Sequence, residues 1–277
     1  MKNLIWLASY PKSGNTWLRA FLSNLIFDSK SPVSINQLTP KYWANDKRLI
    51  EKYSDFEPSE LTEKEVLALR PEIYKQHSIA SPNFPFLKIH DAFYINEKNR
   101  PLIPLECTYK VVYLVRNPLD VAVSFAHHQQ LSFDDIIQFM SDKKAILGKD
   151  LYRYNPNSTE ILLSWSDHVK SWMNSNADLL IMKYEDMHLE PLKTFSGLVK
   201  FLDLDYSESA IKKAIKFSDF NILKDQENEE GFGDRNLKSD SHFFRNGKVG
   251  SGLDELSMKQ KERIRSDHEE MMKYFNY

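Results

Sequence analysis

Four short apolar runs constrain this chain more than anything else in it. Leu4-Ile5-Trp6-Leu7-Ala8 and Tyr109-Lys110-Val111-Val112-Tyr113-Leu114-Val115 are nearly continuous rather than alternating, the pattern of strands covered on both faces of a parallel sheet. Leu179-Leu180-Ile181-Met182 is a third run, and Phe86-Leu87-Lys88-Ile89 a weaker fourth. Helical spacing alternates with them. Leu18, Phe21, Leu22 and Leu25 share one face, and so do Leu253, Leu256, Gln260, Ile264, His268, Met271 and Phe275 near the end. This order predicts an α/β fold with a central, mostly parallel sheet flanked by helices. At 277 residues and 42% hydrophobic, the chain is long enough for one sizeable core, so a single domain over 1–277 is expected. Two stretches interrupt the alternation. Residues 28–86 carry Pro32, Pro40, Pro58, Pro71, Pro82 and Pro85 and read as an insertion; residues 224–242, polar and Gly-containing, read as a mobile loop.

Charge narrows the partners. Lys plus Arg number 37 against 39 Asp plus Glu, and a net charge of -2 gives no global field for nucleic acid or an anionic membrane, so any anion site must be local. Oligomeric state is not legible. The opening MKNLIWLASYPK is too short in apolar length for a signal-peptide core or a membrane span, and the single Cys107 cannot form an internal disulfide. A cytoplasmic protein is expected, with Cys107 a structural thiol.

The loop Pro11-Lys12-Ser13-Gly14 falls between the first strand and the first helix. In parallel sheets ligands bind where strands end, and the first turn of a helix offers free N–H groups and partial positive charge. Lys12 adds a full charge there, and Ser13 and Thr16 add hydroxyls, so a phosphate-like anion suits the loop. A plain strand-to-helix turn with a solvated lysine is the competing reading. A P-loop NTPase is not, because the Lys-Ser pair precedes the glycine and no glycine lies five residues before Lys12.

The segment YPKSGNTW, residues 10 to 17, resembles the 5′-phosphosulfate loop Y-P-K-S-G-T-T-W of sulfotransferases that use 3′-phosphoadenosine 5′-phosphosulfate (PAPS), with Asn15 in place of a threonine. VVYLVRNPLDVAVSF resembles the family's strand followed by R-N-P-x-D-x-x-x-S, and MKYEDM its Y-E-D turn. The resemblance covers nearly the whole chain. It implies a P-loop-like strand-loop-helix that binds PAPS, with PAP as product, through Lys12, Ser13, Gly14, Asn15, Thr16 and Trp17. It assigns Arg116 and Ser124 to the 3′-phosphate and Tyr184 to the adenosine side. Ser218 in FSDFNIL aligns with a further nucleotide contact. The family's closing segment R-K-G-x-x-G-D-W is matched by FFRNGKVGSGL at Arg245, Gly247 and Gly250 but not at Asn246, Ser251 and Gly252; Asn246 replaces a lysine, and Lys248 stands close enough to substitute. A guanidinium just past a buried strand suits phosphate on its own chemistry. Asp120 reads only as a helix-start charge favourable to the macrodipole.

The family's base is a histidine in K-x-H after a strand, and FLKIHDAF presents Lys88 and His90 in that pattern. A neutral imidazole suits proton transfer from an alcohol near neutral pH. The resemblance thus gives His90 as general base, Lys12 as the charge stabilising the leaving phosphate, and Lys88 as an orienting group. The other histidines have no motif around them, and no metal-ligand spacing occurs. The expected reaction is in-line sulfuryl transfer to a hydroxyl of a small-molecule acceptor. Residues 28–95 and 224–242 would shape the acceptor pocket, the first with Tyr42, Trp43, Phe56, Tyr74, Phe84, Phe86, Phe93 and Tyr94. Acidic residues in these segments argue against a polyanionic acceptor. N-sulfonation of an amine or guanidine, a kinase-like transferase and a non-catalytic nucleotide-binding module are the alternatives.

Overall fold

The computed structural model describes residues 1–40, 42–96, 99–148, 156–235 and 242–277. The strands are β1 (Leu4–Ser9), β2 (Phe86–Ile89), β3 (Thr108–Val115), β4 (Ile146–Leu147), β5 (Glu160–Ile161) and β6 (Leu179–Lys183). The helices are α1 (Asn15–Phe27), α2 (Arg48–Tyr53), α3 (Glu63–Ala80), α4 (Pro118–Gln129), α5 (Phe133–Ser141), α6 (Trp165–Met173) and α7 (Tyr184–Leu189). They continue with α8 (Pro191–Phe201), α9 (Glu208–Phe217), α10 (Phe220–Glu230), α11 (Ser251–Glu255), α12 (Met258–Asp267) and α13 (Glu269–Phe275). The four apolar runs are β1, β2, β3 and β6, and they form one parallel sheet in the order β2-β1-β3-β6. β1 and β2 pair in parallel with Leu7 opposite Lys88 and Ala8 opposite Ile89. Every residue of β1 is buried, which is why its sequence lacks the alternation of a half-exposed strand.

The chain forms two compact units. The first comprises Met1–Tyr10, Tyr42–Tyr113 and Asp142–Ile181 and holds most of the sheet with α2, α3 and α6. The second comprises residues 11–41, Leu114–Ser141 and Met182–Tyr277 and holds the other helices. In the first, α3 runs through Pro71, anchored by a capping box between Thr62 and Glu65 and by buried Arg70, Ile73, Tyr74 and His77. Among its described residues the stretch 28–86, expected to be irregular by its prolines, therefore contains the α-helices α2 and α3. In the second, Leu18, Phe21, Leu22 and Leu25 of α1 are buried as their spacing predicts, and Phe21 stacks on Phe195 of α8 at 4.0 Å.

Two expectations need correction. Residues 224–230, assigned to a loop, belong to α10, which Asp219 caps by accepting the Asn221 N–H; residues 236–241 of that stretch lie outside those described. The final apolar stripe is not one helix but α11, α12 and α13. Leu253 is exposed, and Gln260 serves as the capping partner of Ser257, which starts α12, while Leu256, Ile264, His268, Met271 and Phe275 are buried as expected. Among the described residues no helix is long and apolar enough to cross a membrane.

Candidate active site

Every residue expected to contact the nucleotide lies in the second unit. The loop into α1 places Lys12 at φ 68° and Gly14 at φ 102°, both left-handed. Only glycine fits at 14, because a Cβ there would stand 2.5 Å from Tyr184 Cδ2. Gly14 gives α1 no side-chain cap, so the helix start presents its backbone N–H groups and positive end uncapped by any side chain. The fully buried Ser13 hydroxyl has no hydrogen-bond partner among the described residues, and neither does Trp17 Nε1. The Trp17 ring is held among Tyr184, His188 and Phe195, at 5.8, 4.6 and 6.0 Å between centroids. Asn15 and Thr16 are buried in the first turn.

Arg116 sits where β3 hands over to α4. Its guanidinium donates to the carbonyls of Lys12 (3.2 Å) and Lys248 (3.0 Å) and lies over the Tyr184 ring at 4.1 Å. Its Nε is buried with no partner among the described residues. Desolvation by burial raises the Tyr184 phenol, and burial together with the Arg116 charge lowers the His188 imidazole. Lys12 Nζ lies 3.8 Å from the centre of the Phe243 ring, a cation–π contact. Arg116 thus joins two of the expected binding segments through their backbone.

The other residues expected on the donor side are less uniform. Ser124 is half-buried on α4. Arg245 pairs with Glu255 Oε1 at 2.8 Å, and His127 Nε2 lies 3.0 Å from the other oxygen of that carboxylate. Burial works to raise the Glu255 carboxyl, and the hydrogen bonds from Arg245 and His127 outweigh it, holding it below the ordinary range. Asn246 is half-buried, and Gly247 at φ 57° rests on Phe220, where a Cβ would come within 2.2 Å of the ring. Lys248 meets Arg116 through its carbonyl and is exposed. Ser218 is fully buried at the end of α9 with its hydroxyl on the Ile215 carbonyl at 3.1 Å. Asp120, read as a dipole charge, is instead buried and accepts the N–H groups of Gly250 and Gly252, each at 2.8 Å.

The expected base and its lysine belong to the first unit. Lys88, in β2, is buried with its Nζ 3.3 Å from the centre of the Trp43 ring. His90 follows β2, and its Nδ1 lies 2.7 Å from the Ser9 carbonyl oxygen and 3.2 Å from Ser9 Oγ. A carbonyl only accepts, so Nδ1 carries a proton, and in the neutral ring Nε2 is then the acceptor. The His90 carbonyl in turn accepts His168 Nε2–H at 2.9 Å, and Tyr113 OH donates to His168 Nδ1 at 2.8 Å. His168 is fully buried with Tyr10 edge-on to its ring at 5.3 Å. No sequence motif marks it, because its partners are 55 and 78 positions away.

Burial drives the His168 pKa from 6.5 down to about 4. A depressed histidine contributes stability that is present above pH 6.5 and lost as pH falls toward 4. The loss approaches about 1.4 kcal/mol per pH unit inside that window. Urea titrations from pH 7 to 4 should therefore show a steep acid slope in the wild type and a shallower one in His168→Gln; equal slopes would contradict this origin.

Beside His90, Asp91 is fully buried, pairs with Arg70 of α3 and accepts the Ile161 N–H at 2.8 Å. Burial and then the Asp91 charge push the neighbouring Glu160 carboxyl above its usual range, opposed by Lys88, Arg70 and the His90 N–H. Of the aromatic residues expected around an acceptor, Tyr74 is core. It is fully buried, with its ring edge-on to Trp6 at 5.0 Å and its hydroxyl on the Ala44 carbonyl at 2.9 Å. Phe56 and Phe84 are exposed, Phe93 lies against Trp172 at 5.7 Å, and Tyr42, Trp43, Phe86 and Tyr94 are half-buried.

The Sulfotransferase domain family matches residues 2–276, across both units. Cytosolic sulfotransferase 17 of Arabidopsis thaliana is 27% identical over 98% of this chain and 75% of its own length. The amine sulfotransferase of Oryctolagus cuniculus is 24% identical over 98% of this chain and 81% of its own. Among solved structures, retinol dehydratase in complex with androsterone and inactive cofactor PAP superposes with a TM-score of 0.64 at 22% identity, covering 99% of this chain and 82% of that one. Mouse sulfotransferase SULT7A1 complexed with PAP gives 0.60 at 23% identity, covering 98% and 85%. These structures share the fold: a parallel sheet whose first strand turns through a tight loop into a helix. With the family match spanning all but the terminal residues, the chain belongs to the sulfotransferase family.

Proposed function

We propose that this chain moves the sulfuryl group of PAPS to a hydroxyl of a small organic acceptor and releases PAP. One observation carries the donor side: the buried Ser13 hydroxyl, without a partner among the described residues, at the uncapped start of α1, in the loop whose Lys12 carbonyl is bonded by Arg116. Desolvated polar groups cost free energy until something pairs with them, and a phosphate-type anion pairs with a hydroxyl, backbone N–H groups and a guanidinium at once. On this reading Lys12, Ser13, Gly14, Asn15, Thr16 and Trp17 hold the 5′-phosphosulfate. Arg116 and Ser124, with Arg245, Asn246 and Gly247, hold the 3′-phosphate, and Tyr184 and Ser218 contact the rest of the nucleotide.

PAPS, when bound, supplies an activated sulfuryl group. His90 Nε2 takes the acceptor's proton, its ring oriented by the Nδ1–H bond to Ser9. Lys12 stabilises charge on the leaving phosphate oxygen, and Lys88 orients the reactants for in-line attack. The small ligands named with related structures, retinol and androsterone, support an organic acceptor of modest size. N-sulfonation is the second reading, favoured by the relative named an amine sulfotransferase. A mass-spectrometric screen with PAPS and a panel of phenols, sterols, amines and glycans tests both. Sulfated phenols or sterols are expected; activity confined to glycans would overturn the small-molecule reading, and activity confined to amines would move it to nitrogen.

A further inference from the structure

A carboxylate that served only the dipole of α4 would face solvent. Asp120 is instead 2% exposed, and both its oxygens are used. Oδ2 accepts the Gly250 N–H and Oδ1 the Gly252 N–H, each at 2.8 Å. Oδ2 also lies 3.6 Å from Arg116 Nη2, four residues earlier in the chain. Arg116 donates to the Lys248 carbonyl in the same segment and to the Lys12 carbonyl in the loop before α1. The segment lies directly on α4, since a Cβ at Gly252 would stand 2.5 Å from the Leu119 backbone carbon, and Gly250 turns through φ 92°. One buried carboxylate therefore fixes the Lys248–Gly252 backbone and the guanidinium together.

We propose that Asp120 is a positioning residue for the donor's 3′-phosphate, holding Arg116 and the Lys248–Gly252 segment in their binding arrangement before the nucleotide arrives. This rests on the donor reading above. Charge-assisted bonds to two N–H groups are among the stronger polar contacts, and a site ordered in advance loses less entropy on binding. The sign of the effect separates positioning from simple electrostatics. Removing a negative charge beside Arg116 would by itself strengthen binding of a phosphate, so weakened binding reports lost positioning.

The test is Asp120→Asn, which keeps the volume but leaves one acceptor oxygen and turns an NH₂ toward a glycine N–H. Calorimetric titrations would compare 3′,5′-adenosine bisphosphate with adenosine 5′-monophosphate, which lacks the 3′-phosphate. The variant is expected to lose about tenfold or more in bisphosphate affinity and less than about threefold for the monophosphate. Unchanged or tighter bisphosphate binding, or equal losses for both ligands, would overturn the assignment of Asp120 alone. A wild-type chain that binds neither ligand would overturn the donor reading itself. Amide hydrogen exchange on the unliganded wild type needs no variant: Gly250 and Gly252 are expected to be protected already, and protection only after bisphosphate is added would contradict positioning in advance.

Discussion

Arg116→Ala is expected to remove most of the stabilisation that 3′,5′-adenosine bisphosphate gives the wild-type chain. A ligand at about a hundred times its dissociation constant adds roughly 2.7 kcal/mol, a rise of roughly 5–10 °C in melting temperature for a domain of this size. Arg116 would give the 3′-phosphate charge-assisted bonds, each worth roughly 1.5–3 kcal/mol, so its loss lowers affinity about a hundredfold or more. The unliganded variant should also melt lower. Asp120 would remain buried without its cation, and the Lys12 and Lys248 carbonyls would each lose a donor. Differential scanning fluorimetry with and without the bisphosphate reads both effects, each variant against its own unliganded curve. A full shift retained by the alanine variant would take Arg116 out of the site.

His90→Ala is expected to lower turnover by about 10²–10⁴-fold while leaving bisphosphate affinity nearly intact. The split follows from the proposed roles: His90 is read as the base and is not among the residues read as holding the nucleotide. Steady-state kinetics with PAPS and a phenolic acceptor, paired with bisphosphate titration, gives the two numbers. Lys12→Ala should instead reduce both turnover and donor affinity. A fully active His90→Ala would mean that another group takes the proton, or that the acceptor needs no base.

The strands and the loop before α1 were legible because each is written locally. β1 and β3 are continuous apolar runs whose burial follows from their composition, and the PKSG turn sits at a strand end whatever the rest of the chain does. What the sequence hid depends on distant residues. His168 reaches Tyr113 and the His90 carbonyl across long separations, with no spacing to reveal it. Asp120 carried a partial signal, its i, i+4 relation to Arg116, but its bonds to Gly250 and Gly252 span more than a hundred positions. The C-terminal stripe misled because apolar spacing continues across Ser257 and His268, where the backbone starts new helices. Tyr74 reads as pocket or core equally well by composition, and its hydrogen bonds to Arg70 and Ala44 place it in the core.

Donor identity is the central claim, and isothermal titration of the wild-type chain with 3′,5′-adenosine bisphosphate, alongside ATP with magnesium, tests it most directly. The loop before α1 lacks the glycine spacing of an ATP P-loop, and Arg116, bonded to the Lys12 and Lys248 carbonyls, is the residue proposed to meet the 3′-phosphate. The bisphosphate is expected to bind with a micromolar or tighter dissociation constant and ATP at least about a hundredfold more weakly. Comparable or tighter binding of ATP with magnesium, or no heat from the bisphosphate, would contradict the account.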